Sequence, residues 1–338
     1  MGPHDEPQYV ALVARAAASP FSHTLAYRDV LHACGAGQPI YLLARHGQSV
    51  RAAMPTFVQR SPLGVVLNSL PLVQSAGGIV FCPDLSPPER AQIRDALASE
   101  LSALARRESL NVCVVIGTPY SKESLLPFDR APDFSLVRTT HVLALGQPLQ
   151  LHHSAQQALR KAARAAPVHR VAETLGEAQL VWSLYAQNME RIGVAARGWE
   201  LYAQLYLRGG QQVRFVWAEV GGEPASGLVL LCHGEVVDYH SVGNTETGRS
   251  GQIATWLCVQ ELQRAQSLGA RWWNWGVSPT AAVAAFKRSF GGWDQPYAIS
   301  GLCTGPVESW KTLPPSALSQ HFPDHFVLPY GWLTKEPA

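Results

Sequence analysis

The chain has 338 residues, a formal net charge of +2, 15% charged and 47% hydrophobic residues. Its length is about twice that of a usual domain, so two domains or one duplicated fold are expected. The composition excludes a disordered or fibrous chain, and the near-neutral balance leaves nucleic acid to be met only through a local basic patch.

In chain order, residues 21–33 read as a short amphipathic helix. PIYLLA, a turn at His46–Gly47 and the stretch 50–58 read as a hairpin, and 64–70 is a further strand. Residues 71–78 are a loop. A helix begins near Ser86 with Pro87 in its first turn, and Ile93, Leu97, Leu101 and Leu104 recur at helical spacing. NVCVVIG is a β-branched run of the kind found in buried parallel strands, and 139–145 is a strand. The second half repeats the order. Helices are expected at 181–193 and 199–207, strands at 213–220, 225–232 and 235–242, a helix at 252–268, a strand at 271–275, and a helix from Ser278–Pro279 to Gly291–Gly292. YLLARHGQSVRAAMPTFV parallels FVWAEVGGEPASGLVLLC, so a duplicated α/β fold is expected. The expected domains are 1–148 and 149–305, with a C-terminal tail at 306–338.

Six cysteines form no CxxC pair, and no His/Cys cluster has zinc-ligand spacing, so free thiols and no metal are expected. MGPHDEPQYV is not a secretion leader, and no apolar run reaches about 18 residues. A cytoplasmic protein without a membrane span is the expectation.

Several residue groups can carry chemistry. VGNTETGRSGQ lies between a strand and a helix, and the unpaired N–H groups at a helix start, with Arg249, Ser250 and Gly251, suit a phosphate or an oxyanion. The alternative is a plain polar connection. Strand alternation puts Asp238 and His240 on one side as candidate bases; a structural role is the alternative. In HSAQQALRKAARAA, Arg160, Lys161 and Arg164 form a basic stripe, either a solvated face or a contact for tRNA or another phosphate. Trp272, Trp273 and Trp275 read either as core or, for Trp275, as the wall of an acceptor pocket. No GxSxG, HExxH or GxxxxGK[ST] occurs.

RWWNWGVSPTAAVAAFKRSFGG contains a strand ending in a polar residue and Gly, then Phe-Lys and Phe-Gly on a helix: Asn274, Gly276, Phe286, Lys287, Phe290 and Gly291. With PTFVQRSPLGVVLNSLPLVQSAGG, ALRKAARAA and YAQNMERIG, it resembles the FemAB-like family of the GNAT superfamily over about 21–301. The resemblance implies two tandem GNAT-like domains, each a mixed twisted sheet flanked by helices. It implies transfer of an aminoacyl group from aminoacyl-tRNA, or of an acyl group from coenzyme A or acyl carrier protein, onto an amine, in natural-product, exopolysaccharide or envelope biosynthesis. No tightly bound cofactor is expected. Lys287 matches the family's functional lysine, with Phe286 beside it, and Arg191 matches a position that binds an anionic part of the acceptor. Arg191 shares its helix with Tyr185 and with Glu190, so a surface ion pair is the alternative.

GNAT acetyltransferases hold the coenzyme A pyrophosphate with a Q/R-x-x-G-x-G/A loop. Here Gln252 stands at its first glycine. In the family it resembles, users of peptidoglycan precursors hold the nucleotide pyrophosphate with basic residues of the first half; here no lysine precedes Lys122, Arg45, Arg51 and Arg60 are the alternatives, and a UDP-linked acceptor is not expected. A non-catalytic GNAT-like scaffold and a small-molecule acetyl-CoA-dependent N-acetyltransferase are the competing functions.

Overall fold

The computed structural model describes residues 1–16, 18–72, 76–120 and 128–334. Lys122, part of the 71–78 loop and the last residues of the tail lie outside these. The elements are α1 (Glu6–Arg15), α2 (Leu25–Ala33), β1 (Gln38–Pro39), β2 (Leu42–His46), β3 (Ser49–Met54), β4 (Phe57–Ser61), β5 (Gly64–Ser69), β6 (Val80–Phe81), α3 (Pro87–Arg107), β7 (Val112–Ile116), β8 (Phe134–Ala144), α4 (His153–Ala163), β9 (Val168–Val171), α5 (Leu175–Arg191) and α6 (Trp199–Gly209). Then follow β10 (Val213–Val220), β11 (Glu223–His233), β12 (Val236–Asn244), α7 (Glu246–Ser250), α8 (Ile253–Ser267), β13 (Trp272–Val277), α9 (Ala281–Arg288), β14 (Trp293–Cys303), α10 (Glu308–Lys311) and α11 (Pro315–His321). They form two compact units, Met1–Arg138 with Pro296–Ala338, and Thr139–Gln295.

The first unit has strand order β1-β4-β5-β7-β14, with β2-β3-β6 as a separate sheet. β5 and β7 run parallel, joined through α3, and β14 lies antiparallel on the far side of β7. Alternation along β7 explains the layering. Cys113 and Val115 pack with Leu97, Leu101 and Leu104 of α3. Val112, Val114 and Ile116 pack with Trp310, Leu318 and Phe322 of the C-terminal helices. The described part of the C-terminal tail, from 306 to 334, thus supplies the second helical layer of this unit. α3 starts where Ser86 and Pro87 predict: both the N–H and the hydroxyl of Ser86 donate to Glu89, at 2.8 and 2.6 Å. α2 starts later than expected, at Leu25, because the Thr24 hydroxyl caps it by accepting from the Tyr27 N–H.

The second unit has strand order β8-β13-β12-β11-β10-β9. Its β12–α8–β13 segment repeats the β5–α3–β7 arrangement, and β8 lies antiparallel to β13 as β14 does to β7. Each unit is therefore a mixed sheet flanked by helices. α8 covers one face, with Ile253, Leu257, Cys258 and Leu262 against Val216, Leu228, Leu230 and Trp273, and α5 and α6 cover the other. The match of hairpins expected from the sequence is not the structural repeat. β2–β3 lies in the small separate sheet, whereas β10–β11 lies in the main sheet of its unit. Among the described residues all six thiols are free, no group of residues could hold a metal ion, and no helix is long and apolar enough to cross a membrane.

Candidate functional site

β12 and β13 pair at Val236↔Trp272, Val237↔Trp273 and Asp238↔Asn274, and then part. β12 continues to Asn244 with β11 as its partner. This splay leaves backbone groups of β12 beyond Asp238 without a strand on that side among the described residues.

Asn274 and Asp238 stand at the last paired register. The Asn274 amide donates to Asp238 Oδ1 at 2.8 Å, while Asn274 Oδ1 accepts from Thr140 Oγ1 at 2.5 Å and from the Gly276 N–H at 3.0 Å. Three partners fix which end of the amide faces the carboxylate. Val237 and Tyr239 belong to the core under α8, so Asp238 and His240 face α5 and α6, as alternation predicts. A bulge at His240, between the Tyr239 and Ser241 registers, turns the strand there. The His240 ring lies 5.6 Å from that of Tyr202, itself 5.4 Å from Tyr185. Burial, and secondarily the charge of Arg197, pulls the His240 imidazole down to about 3. Burial therefore favours the uncharged form of the ring.

Lys287 is 4% exposed. Its Nζ donates to the carbonyls of Gly276 at 3.0 Å and Val277 at 2.8 Å, just beyond the splay. Burial pulls its ammonium down to about 8. The carrier helix starts at Ala281, two residues after Pro279, because Thr280 caps it by accepting from the Val283 N–H. It ends at Arg288, and Gly291 and Gly292 take φ of +86° and +90° in the turn that follows. Phe286 is half-buried, its ring 6.1 Å from Trp275 and 5.1 Å from Phe290. Trp275 is 1% exposed, packed on Tyr239, Trp273 and Phe290. It supports the strand from within, as the core reading expects. Trp273 faces the same core, whereas Trp272 is half-buried against Trp293.

The stretch holding Arg249, Ser250 and Gly251 is not an open loop. It forms α7, capped by Thr245. Arg249 folds back onto the Asn244 carbonyl and Glu246, both at 2.7 Å, and Ser250 donates to the Thr247 carbonyl. Gly251 is packed so that a side chain would meet Thr247 O at 2.9 Å. Gln252 takes φ of +59°, a conformation that favours glycine, at the position where the GNAT spacing would place one.

Arg191 is exposed at the end of α5 and donates to Asn188 at 3.2 Å. Tyr185 is half-buried, its hydroxyl accepting from the Arg197 N–H at 3.3 Å. α5 lies close on β12: a Cβ at Gly243 would sit 2.1 Å from the backbone of Leu184. Arg160, Lys161 and Arg164 are exposed on α4, which packs against α8. The structure thus gathers Asp238, His240, Asn274 and Tyr185 on one face of the sheet and sets Lys287 and Phe286 beyond the splay. It leaves Arg249, Ser250, Arg191 and the basic stripe apart from them. Thr140, Arg197 and Tyr202 join the cluster without any local signal in the sequence. A cavity of about 810 Å³, lined by Tyr206, Arg214, Cys232, His233, Glu261 and Arg264, involves none of the expected site residues.

Comparison with known proteins places this geometry. The acetyltransferase (GNAT) domain family model matches residues 151–288. No curated protein matches. The crystal structure of FemX aligns over 87% of this chain and 95% of its own, at 11% identity and a TM-score of 0.67. The C-terminal domain of a putative lysylphosphatidylglycerol synthetase from Agrobacterium fabrum aligns over 90% and 93%, at 12% identity and 0.57. L-PGS from Bacillus licheniformis aligns over 88% and 91%, at 11% and 0.53. The match to the acetyltransferase (GNAT) domain lies within a fold similar to that of FemX, so the expected resemblance holds at the level of fold.

Proposed function

We propose, from a GNAT domain set in the fold of FemX, that this chain is a transferase joining an acyl or aminoacyl group to an amine in an amide bond. The observation that carries the reading is the splay of β12 from β13 at Asp238↔Asn274, with the Lys287 ammonium on the carbonyls just beyond it.

The reaction is attack of a neutral amine on an ester or thioester: the amide C–N bond forms, the acyl C–O or C–S bond breaks, and the tRNA hydroxyl or the thiol leaves with the proton given up by the amine. It needs alignment, stabilisation of the oxyanion, and removal of the ammonium proton. In this proposal the donor carbonyl enters the splay, where β12 backbone N–H groups receive its oxygen. Lys287 supplies positive charge from within the protein, where a low dielectric strengthens it. Asp238 receives the proton, its carboxylate oriented by Asn274. Phe286 packs beside the donor, while Tyr185 faces the acceptor. Arg160, Lys161 and Arg164 are exposed cations suited to the backbone of an aminoacyl-tRNA donor. With an acyl-CoA or carrier-protein donor, Arg249 would have to leave Glu246 to meet a phosphate.

The test is mass spectrometry of products from the full chain mixed with charged tRNAs, acyl thioesters and candidate amines, with and without ribonuclease. The expected product is an amide formed with one donor class and lost in Lys287→Met. No product with any donor class, from protein shown to be folded, overturns the reading and favours a scaffold. A second reading, acetyl transfer from acetyl-CoA to a small amine, draws on the acetyltransferase match of residues 151–288. Stabilisation of the fold by acetyl-CoA would support it.

A further inference from the structure

We infer that Arg197 is a specificity determinant for an oxyanion carried by the amine acceptor, an inference that rests on the transferase function just described. Arg197 lies between α5 and α6, in a segment pinned at both ends of the residue. Its N–H donates to the Tyr185 hydroxyl at 3.3 Å, and its carbonyl accepts from Trp182 Nε1 at 3.0 Å. The backbone is held, so the side chain is aimed. That side chain is half-buried, and its Nη1 is shut away from solvent without a hydrogen-bond partner among the described residues. No described carboxylate pairs with it. Other half-buried arginines of this unit differ: Arg214 meets Glu261 through two nitrogens, both at 3.0 Å, and Arg249 meets Glu246 and a backbone carbonyl.

A guanidinium drawn out of water without a counter-charge is costly. A carboxylate or phosphate oxyanion, bound through two parallel N–H groups, offsets that cost and fits the planar shape. The surroundings suit a polar ligand. Tyr185, Tyr202 and His240 form a contiguous set around Arg197, and His240 Nε2 is also buried without a partner. This set lies on the face of β12 that carries Asp238, the proposed proton acceptor. An acceptor anchored here by its anion would present its amine towards the splay.

The test needs no knowledge of the substrate. Thermal unfolding of the full chain is followed with succinate, inorganic phosphate or chloride at matched ionic strength, for wild type, Arg197→Gln and Arg197→Lys. The expected result is a saturable rise in Tm with an oxyanion and not with chloride. That rise is reduced in Arg197→Lys and absent in Arg197→Gln. Arg197→Gln should unfold at the same or a higher temperature without anion, because it removes an uncompensated charge. A response to succinate alone assigns a carboxylate; a response to phosphate alone assigns a phosphoryl group. Absence of any response in wild type, an unchanged response in Arg197→Gln, or a fall of several degrees in its basal Tm each overturns the inference. Turnover separates this from the function itself. With an active donor, kcat/KM for an anionic amine should fall about 10- to 100-fold in Arg197→Gln and change little for the uncharged analogue. Equal losses on both amines overturn the inference and leave the transferase standing. Loss of the anion response in Arg197→Gln without turnover on any donor leaves the oxyanion site standing and removes the transferase.

Discussion

Asn274 donates its side-chain amide to Asp238 at 2.8 Å, across the last register at which β12 and β13 pair. The same amide, through its oxygen, holds Gly276, whose carbonyl accepts from Lys287. One neutral side chain therefore joins the two charged groups proposed to act in transfer. It does so because it can donate at one end and accept at the other, which neither aspartate nor leucine of the same size can do.

Asn274→Asp tests this directly. It sets two carboxylates at hydrogen-bonding distance, and one of the pair is then held protonated above its ordinary range. An acid whose pKa is higher in the folded state stabilises the fold below its unfolded pKa and loses that contribution as pH rises. The variant should thus be less stable than wild type by about 1–3 kcal/mol at pH 8, with a smaller deficit at pH 5. Urea unfolding at the two pH values measures it; a deficit larger at pH 5 is the opposite outcome.

Lys287 gives a prediction of its own. Burial lowers its pKa to about 8, below the unfolded value, so charging it opposes folding. The cost is present in full below pH 8 and is relieved as pH rises towards the unfolded pKa of about 10.4. Wild type should gain about 3 kcal/mol over Lys287→Met across that window. Paired denaturation curves at pH 7 and pH 10 are the check, and a parallel pH dependence in the two proteins would contradict it.

Local chemistry made part of this fold readable. The start of α3 follows from Ser86, Pro87 and Glu89 lying within one turn, and β7 from five consecutive buried residues, VCVVI. The helix bearing Phe286 and Lys287 was recognisable because its motif is continuous in sequence. What escaped was long-range. β14 contains Pro296 and Gly301 and alternates weakly, yet it is a strand because β7 offers it a register. The exposed β9, Val-His-Arg-Val, is held by β10 alone among the described strands. Asp238 could be placed on a face of its strand by alternation, but its partner lies 36 residues away and is chosen by register. Arg197 carried no mark at all, since its interest lies in what does not pair with it.

Gly243 is a packing constraint with no side chain to advertise it. A Cβ there would lie 2.1 Å from the Leu184 backbone, and helix backbone cannot yield as a flexible side chain can. Gly243→Ala should cost about 1–3 kcal/mol or more, with α5 displaced from β12. Faster amide hydrogen exchange along α5 than along α8 would localise the damage. Loss spread evenly over the unit would argue that α5 is not the element displaced.

Glu261 is 1% exposed, bound by Arg214 through both oxygens and by His169 at 2.8 Å. Burial alone would raise its carboxyl, but the His169 and Arg214 hydrogen bonds hold it below the usual range. Its contribution is therefore present at neutral pH and lost as pH falls through the folded pKa. Arg214→Met leaves the carboxylate short of a counter-charge and should cost about 3 kcal/mol, whereas Arg214→Met with Glu261→Met should recover much of that loss. The double-mutant cycle in urea, repeated at pH 7 and pH 4, measures both effects, and additive losses would show that the pair is not coupled.

The basic stripe on α4 decides between donor classes. Arg160, Lys161 and Arg164 are exposed and have no ion-pair partner among the described residues, so their charge is available to a polyanion. If aminoacyl-tRNA is the donor, each phosphate contact releases counterions, and log K falls with log salt by about 0.7 to 0.9 per contact. Changing all three residues to glutamine should weaken tRNA binding and reduce the salt slope by about 2, with the fold unaltered because the side chains are solvated. Electrophoretic or fluorescence titrations with uncharged tRNA at several salt concentrations supply both numbers. An unchanged slope would assign the phosphate contacts elsewhere. No measurable tRNA binding by the wild type would remove charged tRNA as donor and leave the thioesters.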